Sequence, residues 1–391
     1  MPSPAAEIFK VFLRLGLTSF GGPIAHLGYF RQEFVERRRW LDDAQFAQLL
    51  SIAQFLPGPA SSQLGFSIGL LRGGWMGGLA AFMAFTLPSV LALFGLALWG
   101  AALGGPLWVS LVHGLKLVAV VVVADGVWRM ARQLTPDLPR LAIAVVAAGL
   151  VLVAGTAGAQ LGAIAAAAVL GAVVLRVPPG SQTLPLPLRF GPRAGFVALA
   201  IFAIGLAAAL AIPASTPSLS ALAATFWRAG ALVFGGGHVV LPLLERGTVA
   251  TGWISNDAFL AGYGASQAIP GPMFSFAAYL GALVPLGLSP ALGAVVATLA
   301  VFAPGFLLIV GMLPVWTRLT AHPRAFSAVA GINAAVVGLL AAALWSPVIT
   351  SGIAGATDVA IVTAAMVAQR RLPRPTPWVI AICLLAASVL G

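Results

Sequence analysis

The 391-residue chain is poor in charge, and poorest in acidic side chains: 8% of its residues are charged and only 10 are Asp or Glu. A soluble domain carries about 25% charged residues, so most of this surface cannot be meeting water. So few carboxylates argue against a mechanism built on carboxylate-held metal ions. No His-Glu-x-x-His, Gly-x-Ser-x-Gly or aspartate-rich motif occurs. The single cysteine, Cys383, excludes an internal disulfide and a zinc site of several cysteines. There is no Gly-x-x-x-x-Gly-Lys-Ser/Thr phosphate loop, which argues against ATP as an energy source. Nothing calls for a cofactor. A secretory signal is also missing, because Glu7, Lys10 and Arg14 interrupt any apolar stretch at the start.

What is present is apolar length. Hydrophobic residues make up 60% of the chain, and residues 75–99, 107–124 and 326–345 each form an apolar run. Each is long enough for a spanning helix, which needs about 20 residues. The runs are continuous rather than alternating, so they read as helices and not as a β-barrel. The 45 glycines and 28 prolines suit broken helices lining a cavity. The net charge of +11 does not point to nucleic acid. The basic residues sit in short clusters between apolar segments, where they orient a membrane protein.

The chain repeats itself. Phe12, Arg14, Gly16 and Phe20-Gly-Gly-Pro return as Phe226, Arg228, Gly230 and Phe234-Gly-Gly-Gly. Gln54 and Pro57-Gly58-Pro59 return as Gln267 and Pro270-Gly271-Pro272, and Trp40 as Trp253. Residues 114–128 align without gaps on 331–345. This gives two halves, 1–178 and 213–391, joined by a linker and one extra apolar segment at 195–212. Basic loops in one half face nearly bare loops in the other. Residues 31–43 hold four arginines, whereas 245–257 hold only Arg246; Arg318, Arg324, Arg370, Arg371 and Arg374 fall opposite uncharged stretches. Under the positive-inside rule the halves are upside down relative to each other. One added crossing is what such an inversion requires. The expectation is an all-α polytopic inner-membrane protein of two inverted-topology repeats, with loop 31–43 cytoplasmic.

Some segments are too short to cross. Residues 8–20 would extend roughly 20 Å as a helix, against a hydrocarbon core of about 30 Å. They stop at Gly21-Gly22-Pro23, and residues 46–56 stop at Pro57-Gly58-Pro59; the second half repeats both breaks at Gly235-Gly236-Gly237 and Pro270-Gly271-Pro272. These read as re-entrant helical hairpins. Proline favours the first turn of a helix, so Pro23, Pro59 and Pro272 mark helix starts. Each start exposes unpaired N–H groups and about half a positive charge. Four starts meeting near the midplane would supply about two charges, which suits a dianion. Ser61, Ser62 and Gln63 after the first Pro-Gly-Pro, and Ser275 after the second, add neutral donors. A plain turn between interfacial helices is the alternative, and the repetition weighs against it.

Arg14 and Arg228 hold equivalent places in apolar segments and are candidates to flank the anion from both sides; snorkelling to headgroups is the competing reading. Gln54 and Gln267 precede the two Pro-Gly-Pro breaks in register, with interhelical hydrogen bonding as their alternative role. Candidates for gating or proton coupling are His26, Lys116, His238 and Glu245. Lys116, with His113 one turn before it, either lines the path or pairs with Asp125. Glu33, Glu36, Asp42 and Asp43 lie among arginines and read as surface pairs.

Phe20-Gly-Gly-Pro-Ile-Ala-His26, Phe34 through Trp40 and Gln54 through Pro59 resemble the N-terminal domain of the chromate ion transporter family. Phe234 through His238, Glu245 and Gln267 through Pro272 resemble its C-terminal domain. The likeness covers essentially the whole chain in the family's two-domain form. It implies secondary transport that exports chromate and confers resistance, driven by the membrane potential or a proton gradient, with sulfate as the expected competitor. It does not settle which residues touch the ion. The alternatives are uptake of sulfate or another oxyanion, and a membrane enzyme acting on a phosphorylated lipid. The expected partners are the oxyanion and the bilayer, with homodimer formation left open.

Overall fold

A computed structural model describes residues 4–20, 22–103, 105–154, 157–176, 186–188, 190–234, 237–316, 323–372 and 375–390. Every regular element among them is helical. The first half comprises α1 (Pro4–Thr18), α2 (Gly22–Arg31), α3 (Asp43–Phe55), α4 (Ala60–Leu103), α5 (Gly105–Leu134), α6 (Leu138–Ala154) and α7 (Ala157–Val174). The linker helix is α8 (Pro192–Ala211). The second half comprises α9 (Leu219–Leu232), α10 (Val240–Thr248), α11 (Asn256–Ala268), α12 (Phe276–Leu283), α13 (Pro290–Met312), α14 (Pro323–Ala343), α15 (Ala356–Arg371) and α16 (Pro375–Leu390). Five stretches among the described residues are long and apolar enough to cross a bilayer: three lie within α4, α5 and α8, and two run along α13 and α14 into the short helical turns that continue them. Large apolar side chains such as Val153, Val173 and Ile204 stand exposed on the outside. A water-soluble fold buries such residues, and lipid solvates them here.

The short helices form re-entrant hairpins. Glu7, near the start of α1, meets Arg38 just beyond α2 (Nη1–Oε1 3.0 Å). The first arm of α4 ends at Arg72, whose guanidinium lies 5.3 Å from the Trp40 ring centroid and 3.9 Å from Glu7. Both hairpins therefore enter and leave on the face that bears loop 31–43. The chain then reverses at Gly74 (φ 63°), a left-handed conformation that glycine adopts without penalty. Gly69 and Gly77 pack backbone to backbone across this reversal, and the second arm of α4 crosses the membrane. The second half repeats the device, with Gly281 against Gly293 between α12 and α13.

An ion pair joins the two halves. Beyond α4, Lys116 on α5 pairs with Asp257 at the start of α11 (2.5 Å). The start of α11 is thus tied to α5, where Gly264 also packs against the Leu115 carbonyl. This also corrects the expected partner of Lys116. Asp125 is instead held by Arg129 one turn along its own helix (2.8 Å) and by Gln369 (3.1 Å).

The halves interlock rather than sit side by side. Gly114 of α5 packs on Cys383 and Leu384 of α16, and Gly331 of α14 packs on Ala167 and Gly171 of α7. Extending the gapless alignment of 114–128 with 331–345 pairs Ala167 with Leu384, so the two contacts are copies of each other. Glycine at both places lets helix backbones touch, the usual route to tight packing in lipid. The extra helix α8 joins the second half, with Gly195 against Gly311 of α13 and Gly205 under the Trp227 ring of α9.

Candidate functional site

Two hydrogen bonds bring the breaks of the two halves together. The Gly58 amide donates to the Val233 carbonyl at the end of α9 (2.7 Å), and the Gly271 amide donates to the Ser19 carbonyl at the end of α1 (3.1 Å). Gly58 corresponds to Gly271 in the repeat, and Ser19 to Val233. Each Pro-Gly-Pro break is thus tied to the end of the helix that precedes the glycine break of the other half. Both glycines have positive φ (126° and 108°), which other residues rarely adopt.

Each break is also braced by the proline-containing crossing helix of the opposite half. A Cβ on Gly58 would sit 3.0 Å from Gly305 Cα, beside Pro304 in α13. Gln63 spans this contact, its Nε2 donating to the carbonyls of Pro57 (2.9 Å) and Gly305 (3.0 Å). On the other side, a Cβ on Gly271 would sit 2.9 Å from Ser89 Oγ, beside Pro88 in α4, and Ser89 Oγ lies 2.6 Å from Ser275 Oγ. Gln63 was among the neutral donors expected after the first break, whereas Ser89 and Gly305 were missed by sequence reasoning. Their signal was a proline inside an apolar crossing segment, at matched places in both halves.

The helix starts lie where they were expected. Gly22 opens α2, placing Pro23 in its first turn; Pro59 directly precedes α4; Pro272 precedes the 3-10 turn Met273–Ser275 that leads into α12. Gly237 opens the 3-10 turn before α10. Gly21, Gly235 and Gly236 lie outside the described residues. Ser61 and Ser62 are buried in the first turn of α4, and Ser62 Oγ has no hydrogen-bond partner. The first-turn amides have no partners within the helix. The arrangement therefore offers N–H and O–H donors in an apolar surrounding, the chemistry that holds an oxyanion.

The arginines depart from the symmetric pair expected of them. Arg14 is drawn to Glu33, which also takes Arg37 (3.2 Å) and Arg38 (2.6 Å). Glu33 is 4% exposed, so it is a buried hub rather than a surface pair. Burial by itself would raise its pKa, but the Arg38 hydrogen bond and the charges of Arg14, Arg38 and Arg37 leave it below the usual carboxylate range. Glu36 and Asp43 are exposed and share Arg31, and Asp42 caps α3 through the Gln45 amide (2.7 Å). Arg228 meets neutral groups instead, Thr225 Oγ1 at 3.2 Å and the Ile212 carbonyl at 3.5 Å.

The remaining candidates separate. His26 is fully buried, with Nε2 3.2 Å from the Ser19 carbonyl, so it stands at the cross-repeat junction. His238 places Nδ1 2.8 Å from the Tyr263 hydroxyl and packs its ring on Gly126. Gln54 is exposed, whereas Gln267 is buried and donates to Ser266 Oγ (3.3 Å). Glu245 is half-buried in α10 beside Arg246. His113 Nε2 lies 2.8 Å from Asp358 Oδ1. No group of three or more His, Cys, Asp or Glu suited to a metal ion occurs among the described residues.

The sequence model of the chromate transporter family, described as "Chromate transporter", matches residues 6–176 and 220–388. The chain belongs to this family. It is 30% identical to a Synechococcus elongatus protein named a probable chromate transport protein, over 86% of this chain and 83% of the relative. It is 28% identical to the chromate transport protein of Pseudomonas aeruginosa, over 87% and 80%. It is 29% identical to that of Cupriavidus metallidurans, over 86% and 81%. No solved structure matches. The chain is therefore a multi-pass membrane member of the chromate transporter family, and its paired breaks lie where its two repeats meet.

Proposed function

We propose that this protein is a secondary carrier that exports chromate from the cytoplasm across the inner membrane and so confers chromate resistance. It acts as a transporter and not as an enzyme. Its repeat units are residues 1–178 and 213–391, with 179–212 as linker and added helix. Loop 31–43, rich in arginine, is cytoplasmic by the positive-inside rule.

The observation that carries this reading is the matched pair of cross-repeat hydrogen bonds, Gly58 to Val233 and Gly271 to Ser19. Each joins a Pro-Gly-Pro break of one half to the helix before the glycine break of the other, and among the described residues no acidic side chain bonds to either junction. The ion is held by first-turn amides after Gly22 and Pro59 and by the hydroxyls of Ser61, Ser62 and Ser275. The names of the relatives supply the cargo. Uptake of labelled chromate into everted membrane vesicles, with sulfate competition and an uncoupler, tests the proposal. Accumulation that depends on the protein and collapses with the uncoupler is expected. Equal uptake by vesicles lacking the protein, or accumulation only in right-side-out vesicles, overturns it.

A further inference from the structure

His26 carries one hydrogen-bonding atom that the protein leaves unused. Its Nε2 faces the Ser19 carbonyl, which has no proton to give, so Nε2 bears the hydrogen and donates it. The same carbonyl accepts the Gly271 amide, so the ring is anchored at the junction of the two repeats. Phe85 of α4 holds it from the side, edge to face at 5.3 Å. With Nε2 protonated, neutral His26 presents a bare lone pair at Nδ1. That atom is buried and has no hydrogen-bond partner. A buried polar atom without a partner carries a desolvation cost and calls for an explanation.

On the elements that hold the ring, two hydroxyls share this state. Ser19 Oγ and Thr86 Oγ1 are likewise buried and unpartnered. Thr86 is tied to the junction through Ser89, whose Oγ donates to the Thr86 carbonyl (2.9 Å) and meets Ser275 Oγ. Among the described residues, no charged side chain bonds to the ring. On α1 the charged residues are Glu7, Lys10 and Arg14, and Glu7 and Arg14 are engaged by Arg38 and Glu33. The one charged residue of α4, Arg72, lies beside Glu7 and Trp40. On α2 itself the titratable groups besides His26 are Tyr29 and Arg31, and Arg31 is held by Glu36 and Asp43. Residues 268–275 carry none.

We infer that His26 is a specificity-determining residue, whose Nδ1 accepts a hydrogen bond from a protonated oxyanion, so that the carrier takes its cargo together with one proton. The inference rests on the reading of this junction as the anion site. Hydroxyls and amides can donate to any tetrahedral dianion, and by themselves they do not tell chromate from sulfate. A fixed acceptor does. Hydrogen chromate keeps its proton close to neutral pH and can donate it to Nδ1. Sulfate and selenate are the anions of strong acids; they offer only acceptor oxygens, which would face the Nδ1 lone pair. Selenate separates the two causes of selection, because it matches chromate closely in size and charge and differs in proton affinity.

The test is anion binding to the purified full-length protein by calorimetry between pH 6 and 8. Chromate, selenate and sulfate are the probes, on the wild type and on His26→Gln. Glutamine keeps a donor for the Ser19 carbonyl, and its only side-chain acceptor, Oε1, sits one atom farther along the side chain than Nδ1. For the wild type, chromate affinity should fall toward about tenfold per pH unit at the alkaline end, and selenate should bind about tenfold or more weakly than chromate at pH 7. In His26→Gln both the pH slope and the gap between chromate and selenate should shrink. Wild-type binding that is independent of pH, or selenate binding as well as chromate, overturns the inference and leaves the anion site standing. No binding of any of the three anions overturns the reading of the site itself. Should the variant fail to fold, the wild-type heats in two buffers of different ionisation enthalpy still decide. Equal heats at the alkaline end mean no proton is taken up and sink the idea.

Discussion

The two hairpin helices that lead into the Pro-Gly-Pro breaks are related by the repeat, yet they are packed differently. In the second half, residues 259–267 of α11 are all buried. In the first half, Ala44, Ala47, Ser51 and Gln54 form an exposed stripe along α3, as a 3.6-residue period predicts for one helix face. The difference comes from the residues at equivalent places. Gly264 lets the backbone of α11 lie against the Leu115 carbonyl of α5, and Ser51 stands at the matching position of α3. Lys116 ties α5 to Asp257; the counterparts are Asn333, whose Oδ1 is buried without a partner, and Ala44. The breaks themselves are matched, so the repeat positions the site while a few local residues decide which hairpin is clamped. A carrier built from inverted repeats works by moving one bundle against the other, and only the second half carries the residues of this clamp.

The largest effect is expected from Gly264→Ala. A Cβ there would overlap the Leu115 carbonyl oxygen, and backbone cannot yield as a flexible side chain can. Overpacking of this kind costs about 1–3 kcal/mol. Thermal unfolding of the detergent-solubilised protein should show a clear drop, and a variant that melts with the wild type would remove the clamp from the account.

Glu33→Gln comes next. The hub has no acidic counterpart in the second half, where Arg246 and Gly247 occupy the matching region, so its loss should affect the first hairpin alone. Its arginines are partly exposed, which reduces the cost of a broken buried pair to about 1–2 kcal/mol. The folded pKa of Glu33 lies below its ordinary value. The stabilisation it contributes is therefore complete above the unfolded carboxylate pKa, about 4.3, and disappears as pH falls through the lower folded value. Melting curves of wild type and variant should converge in that acid range; a gap that persists unchanged below it contradicts the ion-pair account.

A smaller change is expected for Lys116→Met, which removes the tie between α5 and α11. Asp257 is exposed, so the pair is worth about 0.2–1 kcal/mol. Cysteine placed at Leu260, now buried, should label faster with a maleimide in this background than beside Lys116. Native Cys383 is buried and gives little background. An unchanged labelling rate would mean that the Gly264 contact holds the hairpin without help. Ser51→Ala closes the series, because the side chain is exposed and donates only to the Ala47 carbonyl of its own helix (2.8 Å). Its melting temperature should match the wild type to within about 0.5 kcal/mol in stability. A large loss there would erase the contrast between the two hairpins.

Much of the architecture was legible along the chain because it rests on local rules. Apolar run length separates crossing helices from short ones, Gly and Pro mark where a helix must stop, and arginine clusters report orientation. The repeat was visible as paired strings, Phe20-Gly-Gly-Pro with Phe234-Gly-Gly-Gly and the two Pro-Gly-Pro breaks. The partners of single polar residues were not legible. Arg14 and Arg228 look equivalent in sequence, but Glu33 draws one away and, among the described residues, no carboxylate meets the other. Lys116 lies nine residues from Asp125, beyond the i,i+4 reach of helical pairing, and it pairs with Asp257 across the repeat interface.

Amino-acid order by itself determined that this chain lies in a membrane, folds as two inverted halves and interrupts its helices at four matched points, since each follows from residue type within a short window. Only the tertiary structure decided that Gly58 reaches Val233, that Gly271 reaches Ser19, and that His26 stands at that second junction with one nitrogen free. Those contacts join residues far apart in the chain. They depend on how closely helix backbones can approach, which is a property of the packed whole and not of any segment.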